Sequence, residues 1–202
     1  MTARAAAPGL AIETATAHVE VAVVEGRDTV RAHRAEEVGH GHTRRLAGLI
    51  RETLAEAQVR PAELAWVAAD LGPGSFTGVR VGLASAEALA LASGATLLGA
   101  SSLAALAHGA GLARALVVPL VPAGRRDTYA GFFRADARGS VRLLAAPTVG
   151  PIERVRHATE EALGLLRDAA VRFVGPGVAR EQDALEAAFP GSTASAFRAE
   201  GL

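Results

Sequence analysis

The chain has no lysine, no cysteine and no asparagine, and each absence narrows what it can do. Without lysine there is no P-loop lysine, no Schiff-base chemistry and no lysine general base. Without cysteine there is no thiol nucleophile, no zinc–thiolate site and no disulfide, which fits a reducing cytoplasm. All 21 basic residues are arginines, and 21 Asp and Glu balance them to a net charge of zero. A neutral chain with scattered arginines has no global field for a polyanion, so direct, stand-alone nucleic-acid binding is not expected. The Arg, Ala and Gly bias, with Asn missing, reads as coding bias. Long uncharged runs are absent too. A membrane helix needs about 18 apolar residues, and Arg80 and Glu87 interrupt the best candidate. Pro8, Glu13 and Glu20 break any signal-like stretch at the start. A soluble, cytoplasmic protein is expected.

What is present is an apolar half of a 202-residue chain, enough for one large domain or two small lobes. Residues 10–15, 19–24 and 29–34 read as three short strands. A helix over 42–58 carries Leu46, Leu49, Ile50 and Leu54 on one face. A buried strand follows in LAWVAADLG, then a helix over 78–93, a strand at ATLLGA, and a helix from Ser101 or Ser102 to about Gly109. The order then restarts, with strands at 115–121, 127–136 and 140–149, a helix over 158–170, a strand at 171–175 and a helix over 180–189. The fold class is therefore α/β, with β-β-β-α-β-α in each half, the order of actin-like folds. The expected lobes are 1–111 and 112–202, the second shortened because the chain stops just beyond its second helix.

The most informative stretch is DLGPGSFTGVRVG, residues 70–82. Gly72, Gly74 and Gly78 give a G-x-G-x-x-x-G turn between strand and helix, yet no acid ends the next strand to hold a ribose, which weakens a dinucleotide reading. The amides of Thr77, Gly78 and Val79 are free to bind an anion, or Ser75 or Thr77 caps them instead. Gly78, Gly82, Ala86 and Ala90 recur every four residues, a small-residue face that lets another helix, or the chain's own sheet, come close. If that face is an interface, Gly82→Leu should abolish partner association in a folded monomer. If the turn needs positive φ, Gly74→Val should harm folding.

GPGSFTGVRVG, followed by GASSLAALA, closely resembles the signature of the TsaB family, whose members serve tRNA threonylcarbamoyladenosine biosynthesis. AIETATAHVEVAVVEG is similar to that family's first hairpin, GHTRRLAGLI to its first helix and RRDTYAGFF to its second-lobe hairpin. The likeness covers about residues 9–135 and is thin beyond Val149. It implies a two-lobed actin-like (ASKHA) fold and a non-catalytic accessory subunit. That subunit pairs with the catalytic TsaD, works with the ATPase TsaE and reaches tRNA only through the complex. It has no cofactor of its own, since ATP and the metal ion belong to the partners, and the same first-lobe helices can form a homodimer. The interface expected on this basis comprises Leu46, Leu49, Ile50, Gly78, Arg80, Gly82, Ala86 and Glu87. The loop Gly72, Pro73, Gly74, Ser75, Phe76, Thr77 fixes where the second helix starts.

The chain departs from the catalytic relatives. The resemblance implies a His-x-x-x-His metal pair there, and no two of His18, His33, His40, His42, His108 and His157 are four apart. His40 and His42 are expected in a turn or cap. Actin-like ATPases carry an Asp at the end of the first strand and another in the matching second-lobe hairpin; here Glu13 and Pro122 take those places, and Asp127 is expected to pair with Arg125 or Arg126. No catalytic residue and no metal ligand is assigned. The rival classes are an autonomous actin-like ATPase or small-molecule kinase, a dinucleotide-dependent oxidoreductase and a metallopeptidase.

Overall fold

A computed structural model describes residues 7–26, 29–38, 42–166, 169–192 and 194–195. The chain divides into two units between Ser101 and Ser102.

In the first unit, strands β1 (Pro8–Glu13), β2 (His18–Glu25) and β3 (Thr29–Glu37) form an antiparallel meander. Strands β4 (Trp66–Asp70) and β5 (Thr96–Ala100) add in parallel, giving the order β3-β2-β1-β4-β5. Period-two alternation sends Leu10, Ile12, Val19, Val21, Val23, Val67 and Ala69 to one face of the sheet, where all are buried. Helices α1 (His42–Glu56) and α2 (Phe76–Ser93) cover that face, with Leu46, Leu49, Leu54, Ala86 and Ala90 closing the core. The opposite face carries Glu13, Glu20 and Asp70 at the same ends of adjacent strands. Helix α2 ends at Gly94, whose φ of 73° supplies a left-handed cap.

The second unit repeats the plan. Strands β6 (Ala115–Ala123), β7 (Asp127–Ala135) and β8 (Val141–Gly150) form the meander, and β9 (Ala170–Val174) and β10 (Ala194–Ser195) pair in parallel. The order β10-β9-β6-β7-β8 matches that of the first sheet. Here both faces are covered, which is why β6 reads as one apolar run. Leu116, Val118 and Leu120 meet α4 (Ile152–Gly164) and α5 (Val178–Ala188), while Val117 and Val121 meet α3 (Ser102–Gly109). Among the described residues no helix is long and apolar enough to cross a membrane.

The duplicated actin-like order is as the sequence led us to expect, with four differences. Helix α3 groups with the second unit, so the division falls before it and not at 111/112. Helix α4 runs 152–164, not 158–170, because Val155, Thr159 and Ala162 supply the buried stripe; the charges at Glu153, Arg154 and Arg156 had disguised its first turns. A strand, β10, follows the second helix, so the second sheet has as many strands as the first. The parallel pairings run Gly9↔Trp66 to Ile12↔Ala69 and Ala115↔Ala170 to Pro119↔Val174. Counted from their starts, Glu13 corresponds to the buried Pro119, not to the exposed Pro122.

Candidate partner-docking site

The start of α2 is built on the β1–β2 turn. Ser75 is the N-cap, and its Oγ accepts from the Gly78 amide at 3.1 Å, while the Val79 amide donates to the Ser75 carbonyl at 2.9 Å. Thr77 is exposed and takes no part in the cap. The Ser75 amide donates to the Ala15 carbonyl at 2.6 Å. The buried Thr14 hydroxyl donates to the Gly78 carbonyl at 2.8 Å. Gly72 takes the positive φ of this loop, 83°, and its amide donates to Asp70 Oδ1 at 2.5 Å. Gly74 does not have positive φ. Its place is set by close approach instead, since a Cβ there would lie 2.2 Å from the Ala15 carbonyl oxygen.

The same criterion overturns the small-residue face as a partner surface. A Cβ on Gly78 would lie 1.8 Å from the Thr14 carbonyl oxygen, and one on Gly82 would lie 2.2 Å from Thr14 Oγ1. Gly78, Gly82, Ala86 and Ala90 are the buried residues of α2, packed against the chain's own sheet. Leu46 and Leu49 are likewise core residues, and Ile50 is half-buried against them. Of the expected interface residues, only Arg80 and Glu87 face outward. Gly82→Leu is therefore expected to damage the fold rather than spare it.

The outward face of α2 is different in kind. Phe76 is 70% exposed and Leu91 85% exposed. The Arg80 guanidinium stacks 3.9 Å from the centre of the Phe76 ring. Thr77, Ala84, Glu87 and Ala88 complete this face, and α1, which packs beside α2, exposes Arg44, Ala47, Arg51 and Ala55. Leu71, at the entry to the loop, is 54% exposed. Two helices thus present an apolar strip edged by arginines. A period count finds the wrong stripe here because alanine and glycine fit both the inner and the outer face of a tightly seated helix.

On the sheet's other face, the Glu13 carboxylate organises the β1–β2 turn. Its Oε1 accepts from the Ala15 and Thr16 amides at 2.7 and 3.0 Å, and Oε2 meets the Thr16 hydroxyl at 3.1 Å. Burial first, then the neighbouring Asp70 and Glu20 carboxylates, push the Glu13 pKa up to about 7. The sequence flagged Glu13 but not Asp70; two acids ending adjacent strands were the available signal. Among the described residues no group of three or more His, Asp or Glu is arranged to hold a metal ion.

The remaining candidates lie apart. His33 Nε2 is 3.3 Å from Glu20 Oε2, and His157 pairs with Glu161 on α4. His108 ends α3; His40 lies outside the described residues, and His42 opens α1. Asp127 is engaged through its carbonyl, which accepts from Arg180 Nη2, rather than by Arg125 or Arg126. Arg180 also donates to the Gly124 carbonyl and the buried Thr128 hydroxyl, tying α5 to the β6–β7 turn.

Comparison with known proteins bears on this site. A family model described as TsaD: tRNA N6-adenosine threonylcarbamoyltransferase matches residues 34–189. The tRNA threonylcarbamoyladenosine biosynthesis protein TsaB of Escherichia coli (strain K12) is 34% identical over 134 residues, 64% of this chain and 56% of that protein. The tRNA N6-adenosine threonylcarbamoyltransferase of Rhodopseudomonas palustris (strain TIE-1) is 31% identical over 212 residues, 94% of this chain and 55% of that protein. Each match therefore spans little more than half of the relative's length. Among solved structures, YeaZ from Pseudomonas aeruginosa superposes with a TM-score of 0.74 at 28% identity, covering 97% of this chain and 85% of that one. Component A of the (R)-2-hydroxyglutaryl-CoA dehydratase of Acidaminococcus fermentans shares the fold alone, with a TM-score of 0.54 at 14% identity over 94% of this chain and 91% of that one.

Proposed function

The chain belongs to the TsaB/YeaZ family, and on that premise we propose that it serves N6-threonylcarbamoyladenosine formation in tRNA as a non-catalytic partner of TsaD. The observation that carries the docking part of this reading is the outward face of α2, where Phe76, Arg80 and Leu91 stand unburied beside the arginines of α1. Exposed aromatic residues and arginines are enriched at protein interfaces, and exposed apolar surface such as that of Leu91 marks interaction sites. Arg44, Arg51 and Arg80 outnumber the exposed acids Glu56 and Glu87 of the two helices and favour a partner helix with carboxylates flanking its apolar stripe.

The chemistry is assigned to TsaD for two reasons. The position matching Glu13 in the second unit is Pro119, which offers no carboxylate for an actin-like nucleotide site. Glu13 itself spends Oε1 on its own turn. The metal ion, the ATP consumed with TsaE, and the contacts to tRNA then lie with the partners.

Mixing the chain with TsaD, TsaE and tRNA, with and without Leu91→Asp and Phe76→Asp, tests this. Both variants should fold as wild type, fail to co-elute with TsaD and fail to support modification. Co-elution of both variants at wild-type strength would remove the α2 face from the interface, and Mg·ATP turnover by the isolated chain would favour the autonomous ATPase. If the free chain is a dimer that the same variants dissociate, the face serves self-association as well.

A further inference from the structure

The meander of the second unit gathers arginines at one end of its sheet. Arg134 on β7 pairs directly with Arg142 on β8, and like charges set opposite each other on neighbouring strands are destabilising. Arg138 lies in the turn that joins these strands, and Arg114 precedes β6, its amide donating to the Asp136 carbonyl at 3.0 Å. All four arginines are exposed, and none makes an ion pair with a described residue. One acid stands among them: Asp136, whose Oδ1 accepts the Arg138 and Ser140 amides at 2.8 and 2.9 Å. Four guanidinium groups around one carboxylate leave a local excess of positive charge in a chain that is neutral as a whole. The corresponding hairpin of the first unit is built the other way. There Arg31 on β3 meets Glu25 on β2 at 3.8 Å, and Arg34 meets Glu56 on α1 at 2.8 Å. The unanswered arginines are therefore a property of this hairpin and not of the chain's meanders in general.

We propose that Arg114, Arg134, Arg138 and Arg142 form a contact surface for the phosphate backbone of RNA, with which this chain adds its own hold on the tRNA inside the complex. That the RNA is tRNA rests on the function proposed above, and the contacts that place the adenosine for reaction stay with the partners. A guanidinium offers paired N–H donors in the plane that phosphate oxygens accept. Strand pairing holds Arg134 and Arg142 with their Cα atoms about 4.5–5.5 Å apart, so a chain of repeated phosphates can engage several of the four at once. A protein partner fits this face less well, because the centre of a protein interface is apolar. The exposed apolar residues of β8, Leu143 and Val149, pair with Phe133 and Tyr129 and lie on the sheet face away from Arg134 and Arg142. So few charges bind weakly alone, which agrees with a neutral chain that is not a stand-alone RNA binder. Tethered beside TsaD, the same contact becomes effectively intramolecular and gains from that.

The test has a free-chain arm and a complex arm. In the first, the amide shifts of residues 134–142 are followed by NMR on the full-length chain as tRNA is added at low salt. Wild type should shift there, and the shifts should reverse when salt is raised to about 200 mM. The triple variant Arg134→Gln, Arg138→Gln, Arg142→Gln should not shift, and it should melt no earlier than wild type, since it loses like-charge repulsion. The double variant Arg125→Gln, Arg126→Gln, in the turn between β6 and β7 at the other end of the sheet, is the control and should shift as wild type does. In the second arm, the triple variant should co-elute with TsaD as wild type does, while the complex loses about tenfold or more in tRNA affinity and its log–log salt slope falls by about 2. No shift in wild type, or an equal shift in the triple variant, overturns the surface. A shift with polyglutamate but not with tRNA assigns the surface to an acidic protein and overturns the RNA contact. Unchanged tRNA affinity of the complex overturns its role there. A wild-type chain that does not co-elute with TsaD, yet still shifts with tRNA, refutes the docking function and leaves the RNA contact standing.

Discussion

Gly78→Ala separates an inward from an outward reading of the small-residue face. In an exposed helix the change would stabilise by about 1 kcal/mol, since glycine costs that much relative to alanine. Here the added methyl would stand 1.8 Å from the Thr14 carbonyl oxygen, a backbone atom on the β1–β2 turn. That turn cannot swing away cheaply, because Thr14 Oγ1 is bonded to the Gly78 carbonyl and Ala15 to the Ser75 amide. Overpacking of this kind costs about 1–3 kcal/mol, and more when backbone must move. The net expectation is a loss of about 1–2 kcal/mol, or a fall of about 2–8 °C in the melting temperature of a chain this size. Scanning calorimetry measures it, with Ala88→Leu on the outward face as the control, expected to lie within about 0.5 kcal/mol of wild type. A Gly78→Ala chain that melts at or above wild type would refute the seating of α2 on Thr14.

Other outcomes follow from single residues. Ser75→Ala removes the N-cap and should cost about 1 kcal/mol, read by urea unfolding. Arg180→Ala strips the β6–β7 turn of its bonds to α5 and leaves Thr128 with fewer partners, so the second unit should lose about 1–3 kcal/mol and the amides of residues 124–127 should exchange faster with deuterium. Glu13 has a folded pKa raised from 4.5 to about 7, so its contribution to stability is fully present below pH 4.5 and is lost as pH rises through 7. The change is on the order of 3 kcal/mol, and Glu13→Gln should flatten the stability–pH curve across that window.

The fold was legible because both sheets obey simple periods. Leu10 and Ile12 alternate with Ala11 and Glu13, and the β6 run Leu116 to Val121 lacks polar residues because both of its faces are covered. Helix α4 was misplaced because its buried positions are Val155, Thr159 and Ala162, two of them small or polar. Strand β10 was missed because two residues, Ala194 and Ser195, carry no period at all. The docking site was half legible. The loop and its glycines stood out, but which side of α2 faces the sheet was hidden, since glycine and alanine leave almost no hydropathy contrast around the helix. Only the contact with Thr14, sixty-four residues away in sequence, decides it.

A second copy of the elbow explains what its glycines are for. Gly175-Pro176-Gly177 joins β9 to α5 as Gly72-Pro73-Gly74 joins β4 to α2. In each, the first glycine takes positive φ, 96° and 83°. In each, the N-cap amide donates to a carbonyl of the unit's first strand or of the turn directly after it, Gly177 to Leu120 within β6 at 2.9 Å and Ser75 to Ala15 after β1 at 2.6 Å. A Cβ on Gly177 would lie 3.0 Å from the Leu120 oxygen, and one on Gly74 would lie 2.2 Å from that of Ala15. The second elbow has neither a capping side chain nor a carboxyl pair beneath it, yet it keeps both glycines. The glycines therefore answer to the close seating of a helix on a strand end, a demand both units share. Ser75, Glu13 and Asp70 are what the first unit adds, and they are confined to the unit whose helix carries the exposed Phe76 and Leu91. Of the amides that a phosphate grip would use, that of Gly78 is taken by Ser75 and that of Ser75 by Ala15.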